Sequence, residues 1–150
     1  MAFPTETVYG VGADAWSESA VMEVFKAKQR PFSNPLLVHV SNPGQVLNLV
    51  GELTEDAQKL IEAFWPGPLS IVLPARSGLP RMVTGGGENV GLRMPAHPVA
   101  LALIEAFGPL AATSANLSGR PSAVNAGQVR EDLDGKIAAV LDAGPTGLGL

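Results

Sequence analysis

The densest group of side chains that could do chemistry lies between residues 26 and 40, in a segment broken by two prolines. It carries two cations, a hydroxyl, an amide and an imidazole, namely Lys28, Arg30, Ser33, Asn34 and His39. Lys28 continues the apolar stripe of the helical pattern before it, since it follows Val24 by four residues and Phe25 by three. A charge on that inward face needs a partner or an anionic ligand. The alternative is that the Lys28 side chain reaches past the helix end to water.

A second group of polar side chains stands near the start of the chain. It consists of Thr5, Thr7 and Tyr9, followed by Gly10 and Gly12. Hydroxyl and phenol groups are suited to holding a small polar molecule, and glycines let the backbone approach it closely. The same alternation of residues is also typical of one face of a strand. The two glycines lack the further spacing of a dinucleotide fingerprint, so we do not predict a Rossmann site.

Two titratable residues interrupt apolar patterns that predict strands. His39 lies within residues 36–40, and Arg93 lies within residues 90–94. An arginine in such a strand is costly unless it meets an acid or a bound anion. A histidine there is most often a satisfied core residue, although its neutral ring can also donate to a carboxylate or accept from an ammonium group.

Short polar side chains also follow the apolar run that begins at Leu110. They are Ser114, Asn116, Ser118 and Ser122. Their position at the exit of a strand is where α/β folds bind ligands. The alternative is that serine and asparagine simply form turns there.

The elements that must position these residues alternate between helix and strand patterns. Helices are predicted over residues 17–28, from Thr54 to Phe64, over 99–107 and over 125–133, and strands over 36–40, 69–73, 90–94, 110–113 and 137–141. Such alternation predicts an α/β fold with a mixed or parallel sheet. No ordered Ser-His-Asp set, zinc motif or cysteine is present, and the chain has only two histidines, so a hydrolase or zinc enzyme has little support.

Composition indicates one globular domain. The chain has 150 residues, of which 46% are hydrophobic and 16% charged, and its net charge is −4. The acidic balance argues against a broad, non-specific nucleic-acid binder. The lack of cysteine fits a cytoplasmic protein, and no apolar run approaches the roughly 20 residues of a membrane span. Both ends of the sequence stop abruptly, so we expect a domain that is incomplete at its N- and C-terminus.

Six blocks, in order, resemble the YrdC/Sua5 family. They are Pro4-Thr-Glu-Thr-Val-Tyr-Gly10, Lys26-Ala-Lys-Gln-Arg-Pro31 with Asn34-Pro-Leu36, Val38-His-Val40, Trp65-Pro-Gly-Pro68, Gly91-Leu-Arg-Met-Pro95 and Ser114-Ala-Asn-Leu-Ser-Gly119. The resemblance covers nearly the whole chain. It implies a YrdC/RibB-like fold, with a twisted sheet and flanking helices around a concave, basic cavity. It also implies an L-threonylcarbamoyladenylate synthase, a nucleotidyltransferase that uses L-threonine, bicarbonate and ATP for t6A37 modification of tRNA.

The resemblance also implies a role for particular residues. By it, Lys28 and Arg30 are catalytic and face the triphosphate and the forming carbamate. L-threonine would be held by Thr5, Thr7, His39, Arg93 and the backbone near Ala112, and ATP would be contacted by Arg30, Asn34, Ser114, Asn116 and Ser122. We expect Mg²⁺ on the phosphates, with no protein ligand assigned to it.

The chain departs from the family pattern at both ends. Members usually have a strand before the Pro-Thr-Glu-Thr block, and they continue past Gly-Pro-Thr-Gly into a Glu-Ser-Thr block and a later arginine. Two other functions stay open. One is an RNA-binding module for tRNA or double-stranded RNA, and the other is a carbamoyl-transfer domain of the hydrogenase-maturation type. We expect no membrane partner, a possible direct contact with tRNA, and t6A transferase machinery downstream.

Overall fold

A computed structural model describes residues 1–149 of the chain, in which six strands and five helices form an α/β fold. The strands are β1 (Ala2–Pro4), β2 (Tyr9–Asp14), β3 (Leu37–His39), β4 (Ile71–Pro74), β5 (Asn89–Arg93) and β6 (Leu110–Ser114). The helices are α1 (Glu18–Lys28), α2 (Pro43–Leu49), α3 (Glu55–Phe64), α4 (Pro98–Phe107) and α5 (Ala126–Leu133). Among residues 1–149, no helix has both the length and the apolar character needed to cross a membrane.

All six strands belong to one sheet, in the order β1-β2-β6-β3-β5-β4. Strands β3 and β5 run parallel, whereas the other neighbouring pairs are antiparallel. The sheet is therefore mixed, which confirms the predicted fold class. The parallel register sets His39 opposite Arg93, and the antiparallel register sets Leu37 opposite Ala112. Residues that are far apart in sequence thus become neighbours at the middle of the sheet.

Side-chain caps fix the starts of the helices where the sequence predicted them. Ser17 accepts a hydrogen bond from the Ala20 N–H at the start of α1, and Thr54 accepts one from the Ala57 N–H at the start of α3. The predicted inward stripe of α1 is buried, and it includes Lys28. The end of this helix therefore points a cation into the protein.

Gly12 is required where β2 pairs with β6. A Cβ atom on Gly12 would lie 2.7 Å from the Ala112 Cβ and 2.9 Å from the Ala111 carbonyl oxygen.

The hydrophobic core occupies both faces of the sheet. Helix α4 packs with Phe3, Leu110 and Ala112 in one cluster, and most other buried apolar residues form the second.

Two predicted strands differ from the structure, and three elements of the structure were not predicted. Residues 137–141 form one isolated bridge, between Val140 and Ala2, instead of a strand, because their only partner is the three-residue strand β1. Strands β1 and β2 were not among the predicted strands. Helix α2 was not predicted, and it is short, with a proline in its first turn after the cap at Asn42. Strand β4 begins at Ile71, two residues later than predicted.

Candidate active site

An open cavity of about 290 Å³ lies over the centre of the sheet. Its walls come from the turn after β1, the loop after α1, and strands β2, β3, β5 and β6. The lining residues are Thr5, Thr7, Val8, Gly10, Arg30, Pro35, Leu37, His39, Arg93, Ala112, Thr113 and Ser114. The predicted site residues among them are Thr5, Thr7, Arg30, His39, Arg93, Ala112 and Ser114. Sequence reasoning missed Val8, Pro35, Leu37 and Thr113. The first three have no polar side chain, whereas the Thr113 hydroxyl could have been selected as those of Thr5 and Thr7 were.

The turn between β1 and β2 holds two hydroxyls in fixed positions. The Thr5 Oγ1 hydroxyl donates to the Val8 carbonyl over 2.7 Å and accepts from the Thr7 and Val8 N–H groups, each over 3.2 Å. The Thr5 and Thr7 hydroxyls lie 3.0 Å apart, and both residues are buried. Residues 5–8 therefore form a turn built on Thr5 and not the strand face that their alternation suggested.

Tyr9 lies away from the cavity, although it was grouped with the two threonines as a possible ligand. It is fully buried, and its hydroxyl donates to the Gly144 carbonyl over 2.8 Å and accepts from the Ala143 N–H over 3.3 Å. Burial raises its pKa. Tyr9 thus fastens the segment after Leu141 to β2, and that part of the prediction was wrong.

Arg93 meets an acid, as its position in a strand required. Its Nη2 donates to the Glu6 carboxylate over 2.6 Å and to the Thr7 hydroxyl over 3.0 Å, and its Nε donates to the Gly67 carbonyl over 3.2 Å. The Arg93 and Glu6 side chains are only 11% and 15% exposed. Sequence reasoning did not select Glu6 as a site residue, although it is the one carboxylate in the Pro4–Gly10 block.

His39 is a neutral imidazole in the cavity wall. Burial, with the positive charge of Arg93 as a smaller cause, lowers the pKa of His39 to about 4. Its Nδ1 lies 3.1 Å from the Leu37 carbonyl oxygen. Because a carbonyl can only accept, Nδ1 carries the proton and Nε2 is left as an acceptor. The ring also packs edge-on against Phe3, with the ring centres 6.0 Å apart.

Lys28 is buried directly behind the cavity wall, with 1% of its surface exposed. Its ammonium group donates to the backbone carbonyls of Ser114 and Asn116, the latter over 2.5 Å. Burial, and secondarily the charge of Arg30, lower the pKa of Lys28 to about 8, whereas Asp132 acts in the opposite direction. The prediction of an inward, partnered cation is confirmed, and the alternative that Lys28 reaches water was wrong.

Arg30 carries positive charge into the cavity from the loop after α1. Its guanidinium donates to the carbonyls of Asn34 over 3.2 Å and Pro35 over 3.0 Å, so it fixes the shape of this loop. The Asn34 residue itself is exposed and does not line the cavity. The sequence therefore identified the right loop. In this structure Asn34 contacts Arg30 through its backbone carbonyl and not through its side chain.

The loop after β6 places its predicted site residues at different distances from the cavity. Asn116 is buried, and its Nδ2 donates to the carbonyls of Leu117 and Arg120, each over 2.8 Å, so its amide shapes the loop. Ser122 is exposed and lines a separate depression of about 180 Å³ beside Arg120 and Gln128. The structure thus brings Ser114 into the cavity and Asn116 behind it, and it leaves Ser122 outside.

The described part of the chain offers no ready-made metal site. No group of three or more histidine, cysteine, aspartate or glutamate side chains within residues 1–149 is placed to hold a metal ion. The carboxylate nearest the cavity, Glu6, is paired with Arg93. A cavity with neutral hydroxyls, a neutral imidazole and excess positive charge is suited to an anionic ligand.

Comparison with known proteins assigns the family. The Sua5_yciO_yrdC family model, described as "Telomere recombination", matches residues 1–150. The chain is 50% identical over 151 residues to threonylcarbamoyl-AMP synthase of Pyrococcus abyssi and 51% identical over 152 residues to that of Bacillus subtilis. Each alignment covers 100% of this chain and 44% of the relative. The chain belongs to the Sua5/YciO/YrdC family, and it spans less than half the length of these relatives.

A solved structure gives the same result for the fold. The crystal structure of P. abyssi Sua5 complexed with L-threonine is 51% identical to this chain, with a TM-score of 0.95. The match covers 97% of this chain and 43% of that one. The predicted family resemblance is therefore confirmed across the described sheet.

Proposed function

We propose that this chain carries an L-threonylcarbamoyladenylate synthase activity, as a nucleotidyltransferase. The reaction would consume L-threonine, bicarbonate and ATP and release threonylcarbamoyl-AMP and pyrophosphate. The observation that carries the proposal is the cavity over the sheet, where two guanidinium groups, two threonine hydroxyls and a neutral imidazole converge. The 50% identity to a threonylcarbamoyl-AMP synthase over the whole chain supports it.

L-threonine would bind near Arg93, Thr7 and His39. Arg93 already donates to an acid and a hydroxyl, so its guanidinium is held in one orientation before any ligand arrives. A substrate carboxylate would accept from the Nη1 group, which takes part in none of the three hydrogen bonds that Arg93 donates. The neutral His39 ring offers an acceptor at Nε2 for the substrate hydroxyl. A site that pairs a hydroxyl in this way rejects analogues lacking it, because its own acceptor would then be left unpaired.

In this reaction the protein would position the substrates and stabilise the negative charge that develops on them. Bicarbonate takes up a proton and loses water to give carbon dioxide. The threonine amine adds to this carbon dioxide and gives up a proton, which yields a carbamate. A carbamate oxygen then attacks the α-phosphorus of ATP, and the bond from that phosphorus to the pyrophosphate oxygen breaks. Arg30 in the cavity and Lys28 behind it would stabilise the charge that develops on the phosphoryl oxygens. No nucleophilic side chain is needed.

Mg²⁺ would arrive as part of the ATP substrate. The described residues provide no carboxylate cluster for it, and phosphate oxygens commonly hold this ion with few protein ligands. The product would pass to the machinery that makes t6A in tRNA. A direct contact with tRNA would need a local basic patch, because the chain as a whole carries a net charge of −4.

Pyrophosphate release from ATP tests the proposal. We expect release only when L-threonine and bicarbonate are both present, measured on this chain and on a form extended to the length of its relatives. Carbamoyl phosphate turnover without threonine would instead indicate a carbamoyl-transfer domain. Salt-sensitive tRNA binding with no pyrophosphate release from either form would indicate an RNA-binding module. Either result would contradict the proposal.

Two alanine variants test the roles of the cations. Lys28→Ala and Arg30→Ala are each expected to lower kcat by about 10²-fold or more, because each removes a charge that stabilises the transition state. Lys26→Ala is the matched control. Lys26 lies on the same helix, two residues from Lys28, and its side chain is 62% exposed and paired with Glu23. Near-normal rates for both Lys28→Ala and Arg30→Ala would show that these roles are wrong.

A further inference from the structure

A buried carboxylate on α5 lies behind the loop that holds Lys28. Asp132 is 6% exposed, although it does not line the cavity over the sheet. Its Oδ2 accepts from the Leu117 N–H over 2.9 Å, and its Oδ1 accepts from the Arg120 guanidinium. A buried carboxylate is costly unless several donors satisfy it, so this arrangement is specific.

The Asp132 contacts run through one loop to Lys28. Residues 114–120 are here called the clamp loop, which begins at the last residue of β6. Asp132 fixes the clamp loop at Leu117 and Arg120. One end of that loop presents the carbonyls of Ser114 and Asn116 to the Lys28 ammonium, and the Ser118 N–H donates to the Lys28 carbonyl over 3.0 Å. The loop therefore grips both the side chain and the backbone at the end of α1.

The same carboxylate supplies charge. The buried Lys28 ammonium has neutral carbonyls as its direct partners, and carbonyls do not balance a full charge. Arg30 opposes the Lys28 charge from the loop after α1, whereas Asp132 favours it from α5. Arg120 and Lys136 are the cations in contact with Asp132, at its carboxylate and its backbone carbonyl respectively.

We propose that Asp132 is a positioning residue for Lys28: it fixes the clamp loop whose carbonyls hold the ammonium, and it adds a negative charge behind that loop, which favours the protonated ammonium. The consequence for catalysis rests on the proposed function. Lys28 can stabilise phosphoryl charge only while it is protonated and held at the cavity wall. Loss of Asp132 would therefore change the pH range over which Lys28 works.

A titration of Lys28 by NMR tests this proposal without any need for activity. The chain has four lysines, so ¹³C-labelled lysine gives few side-chain signals, and Lys28→Arg identifies the one required. In Asp132→Asn, the amide oxygen can still accept from the Leu117 N–H, whereas the negative charge and the acceptor for Arg120 are lost. We expect the Lys28 midpoint to fall by roughly half a pH unit or more relative to the unaltered chain.

Asp134→Asn is the matched control, because it removes the same charge from an exposed position two residues away. Its Lys28 midpoint is expected to stay unchanged. Arg120→Met provides a second variant with the opposite sign. It frees Asp132 from its cationic partner, so the Lys28 midpoint should rise. If Asp132→Asn does not fold, this variant decides alone. An unchanged Lys28 midpoint in the informative variant, or an equal fall in Asp134→Asn, would overturn the proposal.

The catalytic consequence is read from kcat against pH. The pH at which kcat falls on the alkaline side should be lower in Asp132→Asn than in the unaltered chain, and it should be unchanged in Asp134→Asn. A merely structural defect would lower kcat at every pH and leave this alkaline limb of the profile in place. An unmoved limb in Asp132→Asn would overturn the catalytic part. If no variant or parent releases pyrophosphate, the proposed function fails, and the NMR titration still decides the role of Asp132.

Discussion

The Glu6–Arg93 pair makes a quantitative prediction about stability. Arg93→Met keeps most of the side-chain volume and leaves the Glu6 carboxylate, which is 15% exposed, without its cation. The Glu6 Oε2 atom is buried and has no hydrogen-bond partner within residues 1–149, so little else compensates for the charge. Breaking a buried pair on one side costs about 3–5 kcal/mol. Because both side chains retain some exposure, we expect a loss of about 3 kcal/mol.

A double-mutant cycle separates the ion pair from the other contacts of Arg93. Arg93→Met also removes donors from the Thr7 hydroxyl and the Gly67 carbonyl, each worth about 1 kcal/mol. In a Glu6→Gln background the ion pair is absent, so only those smaller terms remain. We expect Arg93→Met to cost about 1 kcal/mol less in that background than in the unaltered chain.

The assay is equilibrium unfolding in urea, followed by tryptophan fluorescence. The matched control is Lys59→Met, which breaks a pair of similar length, 2.9 Å to Glu55, between side chains that are 66% and 83% exposed. That change should cost no more than about 0.5 kcal/mol. If Arg93→Met and Lys59→Met cost the same, the reasoning from burial is refuted.

Two further predictions concern His39 and Gly12. The pKa of His39 is about 4 in the folded chain against 6.5 as a free group, so the folded chain binds fewer protons and its unfolding free energy should fall by up to about 3 kcal/mol as pH drops from 6.5 to 4. Urea unfolding across this range should show this dependence of the unfolding free energy on pH in the unaltered chain but not in His39→Gln. Equal slopes in the two proteins would contradict the prediction. Gly12→Ala should cost about 1–3 kcal/mol, since its Cβ would meet Ala112 at 2.7 Å. Gly51→Ala, whose Cβ would have no neighbour within 4 Å, is the control, and equal urea midpoints for the two alanine variants would rule out the clash.

The predictions from sequence succeeded where residues act locally. Ser17 and Thr54 marked helix starts because a capping hydroxyl needs only the next turn of the chain. Lys28 was placed inside because helical periodicity assigns its face. Residues 137–141 failed because an apolar run looks the same whether it pairs along its length or at a single bridge. The sequence could not show that Ser122 lies outside the cavity, because serine suits a turn as well as a ligand.

The family resemblance predicted the site residues, and the structure shows which of them line the cavity. Thr5, Thr7, Arg30, His39, Arg93, Ala112 and Ser114 share the cavity, whereas Asn34, Asn116 and Ser122 do not line it. The roles in binding that the resemblance implies for all of them stay predictions. A motif shows that a loop is present at a site, but it does not say whether a side chain or a backbone carbonyl faces the ligand.

By itself, the sequence determined the α/β class, the starts of α1 and α3, the inward face on which Lys28 lies, and the need of Arg93 for an acid or a bound anion. These follow from periodicity and from the cost of desolvating a charge, which are properties of short segments. Only the tertiary structure decided that the acid is Glu6, that the partners of Lys28 are carbonyls, and that Asp132 lies behind them. Those choices depend on sheet register and loop packing between segments about 90 residues apart, which local patterns do not encode.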